Sequence, residues 1–201
     1  DDASIAAALA DSGSPEGRFA RELLKELGEV SVEGLLEALP GAAPAHQAAL
    51  IQVLSSTGPE EAAPRVLDLL AADPPAGQAA QAFARTHYEH CMGGLVRRVG
   101  SEQPGFSEAA CRVLIEVGGP SVEPLATLCA EGPEKARAVA ARLLGDIGEP
   151  TALPALFELL SAPVGALRVE AVAALLKIGD AAALAPLVDA FADPDRIVAH
   201  S

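Results

Sequence analysis

The sequence predicts an all-α fold, an α-solenoid of about six stacked helical hairpins. Three observations carry this. A pattern of apolar residues recurs every 30 or 31 positions along the 201 residues. A glycine interrupts the helical pattern at the same place in nearly every period, and prolines gather just after it. Ala, Leu and Val supply most of the 50% hydrophobic content, whereas aromatics make up 3% and Trp is absent. Small and straight side chains of this kind suit closely spaced helices.

Gly28, Gly58, Gly118, Gly148 and Gly179 form the interrupting column, and Tyr88 stands in the place of the sixth. Four residues before the interruption come Leu24, Leu54, Ala84, Leu114, Leu144 and Leu175. With the apolar residues one, five and eight positions before it, they form the stripe of a first helix, helix A. A second stripe follows each interruption at i, i+3, i+4 and i+7, the buried face of helix B. Its columns begin Val32, Ala63, Met92, Val122, Leu153, Leu184 and continue through Leu35, Val66, Leu95, Leu125, Leu156, Leu187. Leu36, Leu67, Val96, Ala126, Phe157, Val188 and Leu39, Leu70, Val99, Cys129, Leu160, Phe191 complete it.

The repeats in order are 16–40, 44–73, 76–101, 105–131, 134–162 and 165–194. Ile5 and Leu9 match Leu35 and Leu39, so 3–11 is expected as a helix B without its helix A. "RIVAH" within 195–201 is expected as the start of another helix A. One solenoid over 1–201, taken from a longer chain, is the expected organisation.

Each hairpin turn has a chemical reason. Gly148 ends helix A because glycine takes the left-handed C′ conformation without a Cβ clash. Thr151, Ser31 and Ser121 are expected as N-caps of helix B. Pro154, Pro64 and Pro124 are expected in its first turn, where no intrahelical amide bond is lost. The third repeat departs from the pattern: it lacks the glycine, and no Ser or Thr cap precedes Met92. A longer or differently turned helix A is expected there.

"ARAVAARLLGDIGEPTALPALFELL" and "LRVEAVAALLKIGDAAALAPLVDAF" resemble HEAT-like repeats of the short bacterial type, the phycobilisome-lyase-like class. The resemblance is strongest over 134–194, fair over 16–73 and 105–130, and poor over 76–101. It implies an α-solenoid that usually serves as a scaffold. It also implies that the equivalent Arg137 and Arg168 support the stack by pairing with neighbouring acids.

Composition narrows the function classes. The net charge is −14 and the pI is near 4.6. No basic stripe is present to displace counterions, which argues against nucleic acid or an anionic membrane surface as partner. No apolar run reaches the ~18 residues of a membrane-spanning helix. Cys91, Cys111 and Cys129 form an odd set without short spacing, which fits a reducing compartment and a cytoplasmic location. Cys111 and Cys129 lie on apolar stripes and are expected as buried, inert thiols.

His87, His90 and Cys91 are a conceivable Zn²⁺ set. However, His87 falls on the core column of Leu27, Val117 and Ile147, and a fourth ligand is not obvious, so a packed histidine is expected and no metal. No nucleophile elbow, P-loop or dinucleotide fingerprint occurs. Neither a catalytic site nor a cofactor is expected.

The expected function is a non-catalytic scaffold for a protein partner. In HEAT-type stacks the helices B line the concave side, which makes their solvent-facing residues the expected contacts. One column reads Glu37, Asp68, Arg97, Thr127, Glu158 and Asp189; Glu33, Arg98 and Glu123 lie on the same helices. An acidic groove of this kind suits a basic or mixed-charge segment. Glu22, Glu26, Glu60, Glu61 and Glu134 are expected on a solvated outer face. The alternative is a bilin lyase or isomerase, by resemblance to the phycobilisome lyases, although one Tyr and five Phe are few for a pigment cleft. Two further resemblances fail. HEAT-like di-iron hydroxylases need His-Glu dipeptides, which this chain lacks, and HEAT-like DNA glycosylases meet the charge objection.

Overall fold

Apolar stripes one helix wide cannot be buried by a single hairpin, so the helices layer on their neighbours. The computed structural model describes residues 32–103 and 105–192. Among these there are eleven α-helices and no strand. They are α1 (Val32–Ala38), α2 (Pro44–Thr57), α3 (Pro59–Leu67), α4 (Ala76–Thr86), α5 (Tyr88–Arg98) and α6 (Phe106–Val117). Then come α7 (Val122–Glu131), α8 (Glu134–Ile147), α9 (Leu153–Leu159), α10 (Gly165–Ile178) and α11 (Leu184–Ala192). Ser31, Glu22, Glu26, Phe191's side chain and the elements expected at 3–11 and 195–201 lie outside the described residues.

The helices group into two compact units that divide after Gly94. In the first, α2 packs on α4, α3 on both, and α1 on α2 and α3. In the second, α8 packs most extensively on α10 and α7, and α9 lies against α7 and α10. Within each unit successive helices A contact one another, α2 with α4 in the first and α6 with α8 and α8 with α10 in the second, and α7 lies beside α9 as neighbouring helices B.

The cores follow the expected columns. Leu54, Ala84, Leu114 and Leu144 are fully buried, and Leu175 nearly so. Leu35, Val66, Leu95, Leu125, Leu156 and Leu187 are buried too. Leu184 and Val188 are a correction. They belong to the apolar stripe of the last helix B, yet each is 65% exposed.

Gly148 and Gly179 end α8 and α10 at φ 76° and 68°, the left-handed conformation expected of them. Gly58 differs. Its φ of −161° is ordinary extended backbone. It is a glycine for want of space, since a Cβ there would lie 2.7 Å from Val32 Cγ2.

The caps expected of Ser121 and Thr151 do not form. One-turn 3-10 segments, Gly119–Ser121, Pro150–Ala152 and Ala181–Ala183, precede α7, α9 and α11 and place these residues inside the turn. The Ser121 hydroxyl instead donates to the Leu114 carbonyl at 2.9 Å, tying the turn to helix A. In the last turn Asp180 Oδ1 accepts from the Ala182 amide at 2.8 Å. Pro154 and Pro124 sit in first turns as expected, but Pro64 lies inside α3, because that helix begins at Pro59 without a separate turn. In the third repeat one residue, His87, separates α4 from α5.

Candidate functional site

The helix B surfaces carry the expected partner-binding residues. In the first unit Glu33 and Glu37 project from α1 and Asp68 stands at the end of α3; all three are exposed. In the second unit Glu123 and Thr127 are exposed on α7, Glu158 on α9 and Asp189 on α11. Because α7 and α9 pack side by side, Glu123, Thr127 and Glu158 share one stretch of surface. Thr127 donates to the Glu123 carbonyl at 3.1 Å, so its hydroxyl is partly engaged. At the end of α5, Arg97 is exposed, whereas Arg98 is half-buried with its guanidinium 5.9 Å from the centre of the Phe106 ring. Such a cation–π contact holds the side chain against its own unit.

The third repeat's histidines and cysteine are separated by burial. His87 is half-buried, its Nε2 lies 2.6 Å from Ser55 Oγ, and its ring packs 4.8 Å from that of Phe83. His90 is exposed and Cys91 is fully buried. Among the described residues, no group of three or more His, Cys, Asp or Glu is arranged to hold a metal ion.

Burial pushes the Cys129 thiol up to about 12, against a smaller opposing effect of Arg137. Cys111 is only half-buried, but burial raises its thiol as well. Neither thiol is therefore a ready nucleophile at neutral pH.

Arg137 and Arg168 correct an expectation. Among the described residues, neither uses an acid as its hydrogen-bond partner. Arg137 Nε donates to the Cys129 carbonyl at 2.6 Å, and Arg168 Nη1 donates to the carbonyls of Ala162 and Pro163 at 2.9 and 3.2 Å. The carbonyls at and just beyond the end of helix B lack intrahelical donors, and the guanidinium of the next helix A supplies them. Acids pair elsewhere: Lys177–Asp146 at 2.6 Å and Arg142–Glu170 at 4.0 Å link α10 to α8, and Lys135 lies 3.9 Å from Glu102.

The family model for HEAT repeats matches residues 122–201. Residues 122–201 carry HEAT repeats. The matched stretch takes in α7 to α11, and with them Glu123, Thr127, Glu158 and Asp189 on three HEAT helices B. A solved structure of human deoxyhypusine hydroxylase in complex with glycerol is similar at 18% identity and a TM-score of 0.45, covering 97% of this chain and 91% of that one. Among curated proteins none matches. Among the described residues, no helix is long and apolar enough to cross a membrane.

The exposed apolar side chains of α10 and α11 escaped the sequence reading. Periodicity places Leu184 and Val188 on a helix's apolar face but does not say whether a neighbour covers that face.

Proposed function

We propose that this HEAT-repeat chain is a non-catalytic, cytoplasmic scaffold whose helix B surfaces bind a basic or mixed-charge segment of a protein partner. The carrying observation is that Glu33, Glu37, Asp68, Glu123, Glu158 and Asp189 are all exposed while the apolar column beside them, from Leu35 to Leu187, is buried. Acidic side chains on a rigid helical surface raise the local concentration of a cationic segment and speed encounter. The high pKa of Cys129 and the absence of a nucleophile motif support a binding role over catalysis. Cys91, Cys111 and Cys129 form no disulfide, which suits a reducing compartment.

The test measures binding of labelled Lys/Arg-rich, mixed-charge and acidic peptides by fluorescence anisotropy at rising salt. Binding should favour the basic and mixed peptides and weaken with salt. Glu158→Lys with Asp189→Lys should weaken it several-fold, whereas Glu108→Lys with Glu134→Lys, on helices A, should change it little. Equal effects from the two pairs would refute the assignment to helix B.

A further inference from the structure

The two compact units divide inside a helix. The boundary falls after Gly94, and α5 runs unbroken across it from Tyr88 to Arg98. Gly93 and Gly94 stand in the middle of that helix. Glycine has the most backbone freedom to lose on entering a helix, and pairs of glycine or serine are among the known causes of helix kinks. No other helix among the described residues contains adjacent glycines.

The repeat pattern sets this pair apart. The matched positions in the second, fourth, fifth and sixth repeats are Pro64–Arg65, Glu123–Pro124, Pro154–Ala155 and Ala185–Pro186. Each carries a proline, whose ring fixes φ at about −65°. The first repeat has Glu33–Gly34. Only the third has glycine at both positions. Its helix B also starts early, at Tyr88, so the pair lies in the helix interior rather than in the first turn.

The two halves of α5 are fastened to different units. Just before its start, His87 Nε2 lies 2.6 Å from Ser55 Oγ of α2, and within its first half Cys91 is fully buried. In its second half Leu95 is fully buried and Arg98 lies over the ring of Phe106. Beyond its end the Gly100 amide donates to Ser107 Oγ at 3.0 Å, and a Cβ on Gly100 would stand 3.0 Å from the Ala136 Cα of α8. Ser55 belongs to the first unit, whereas Phe106, Ser107 and Ala136 belong to the second. Fastening on both sides concentrates bending at the two glycines between. Want of space does not account for Gly93, which is exposed, although Gly94 is buried.

We propose that Gly93 and Gly94 form a flexible joint in α5, about which the two units move as separate bodies. The joint is a property of the backbone and does not depend on what the helix B surfaces bind.

Hydrogen exchange on the full chain reads the joint directly. The amides of residues 95–98 donate across the glycine pair in the i to i−4 pattern of the helix. They should exchange at least ~tenfold faster than those of residues 126–129 in α7, a helix B without the pair. Gly93→Ala should slow exchange at 95–98 about fivefold and leave 126–129 unchanged. Equal protection of the two stretches, or no response to Gly93→Ala, would overturn the joint. Separate movement is read from spin-label distances in a Cys111→Ser background. Labels at Glu60→Cys and Glu149→Cys, one in each unit, should give a broad distribution that narrows in Gly93→Ala. Labels at Glu108→Cys and Glu149→Cys, both in the second unit, should give a narrow one with or without that change. A narrow distribution for the first pair with Gly93 in place overturns the proposal. So does a lower melting temperature in Gly93→Ala, which would show that the glycine makes room for a neighbour.

Discussion

Gly145 lets α8 come close against Ala174 of α10: a Cβ on Gly145 would stand 2.7 Å from the Ala174 Cα. The corresponding residue in α6 is Ile115, 38% exposed, and α6 packs on α8 far less extensively than α10 does. The residue in this column thus accompanies different extents of contact between successive helices A. Gly145→Ala should push α8 and α10 apart despite alanine's better helix propensity. Overpacking costs of about 1–3 kcal/mol are expected and should appear as a lower midpoint in urea unfolding. A rise in stability would show that the contact relaxes freely.

Two leucines of the same chemistry should behave in opposite ways. Leu144 is fully buried in α8, and Leu144→Ala is expected to cost about 2–5 kcal/mol. Leu184→Ala should stay within about 0.5 kcal/mol of wild type, because that side chain is 65% exposed. Paired chemical-denaturation curves check both.

Removing Arg137 should hurt more than removing a surface ion pair. Arg137→Met keeps much of the apolar stem but leaves the Cys129 carbonyl without its donor, at a cost of about 1–3 kcal/mol with little salt dependence. Asp146→Asn loses only a partly exposed pair with Lys177, about 1 kcal/mol or less, and the loss should shrink in high salt. Thermal melts at low and high salt separate the two.

The Cys129 thiol links stability to alkaline pH. Burial pushes this thiol up to about 12 from its ordinary 9.0, so the unfolded chain loses the proton first as pH rises. The unfolded state then binds fewer protons, and stability falls with pH. The contribution is complete below about pH 9 and is lost towards about pH 12. Cys129→Ala should flatten that part of the stability–pH profile. Maleimide labelling at pH 8 should reach Cys129 only after denaturant is added, which mass spectrometry reads directly.

The column from Leu54 to Leu175 and the column from Leu35 to Leu187 were legible because each faces its own hairpin or immediate neighbours. A 3.6-residue period is enough to identify such a face. The exposed column from Glu37 to Asp189 was legible for the complementary reason, since a charged side chain beside a buried stripe stays in water. The caps were misread because Ser121 and Thr151 are good N-cap residues in isolation, while the one-turn segments moved the true helix starts past them. Arg137 was misassigned because a charge suggests a charged partner, and sequence does not show where a neighbouring helix leaves its carbonyls.

By itself the sequence determined the repeat, its period, most of the buried columns among the described residues and the left-handed turns at Gly148 and Gly179. These depend on residues a few positions apart on one helix or turn. Only the tertiary structure decided that Gly58 is small to make room for Val32, that Gly145 admits Ala174, and that Leu184 and Val188 face solvent. Those outcomes depend on which helix lies across the face and how near it comes. Periodicity along one strip of chain carries no information about that distance.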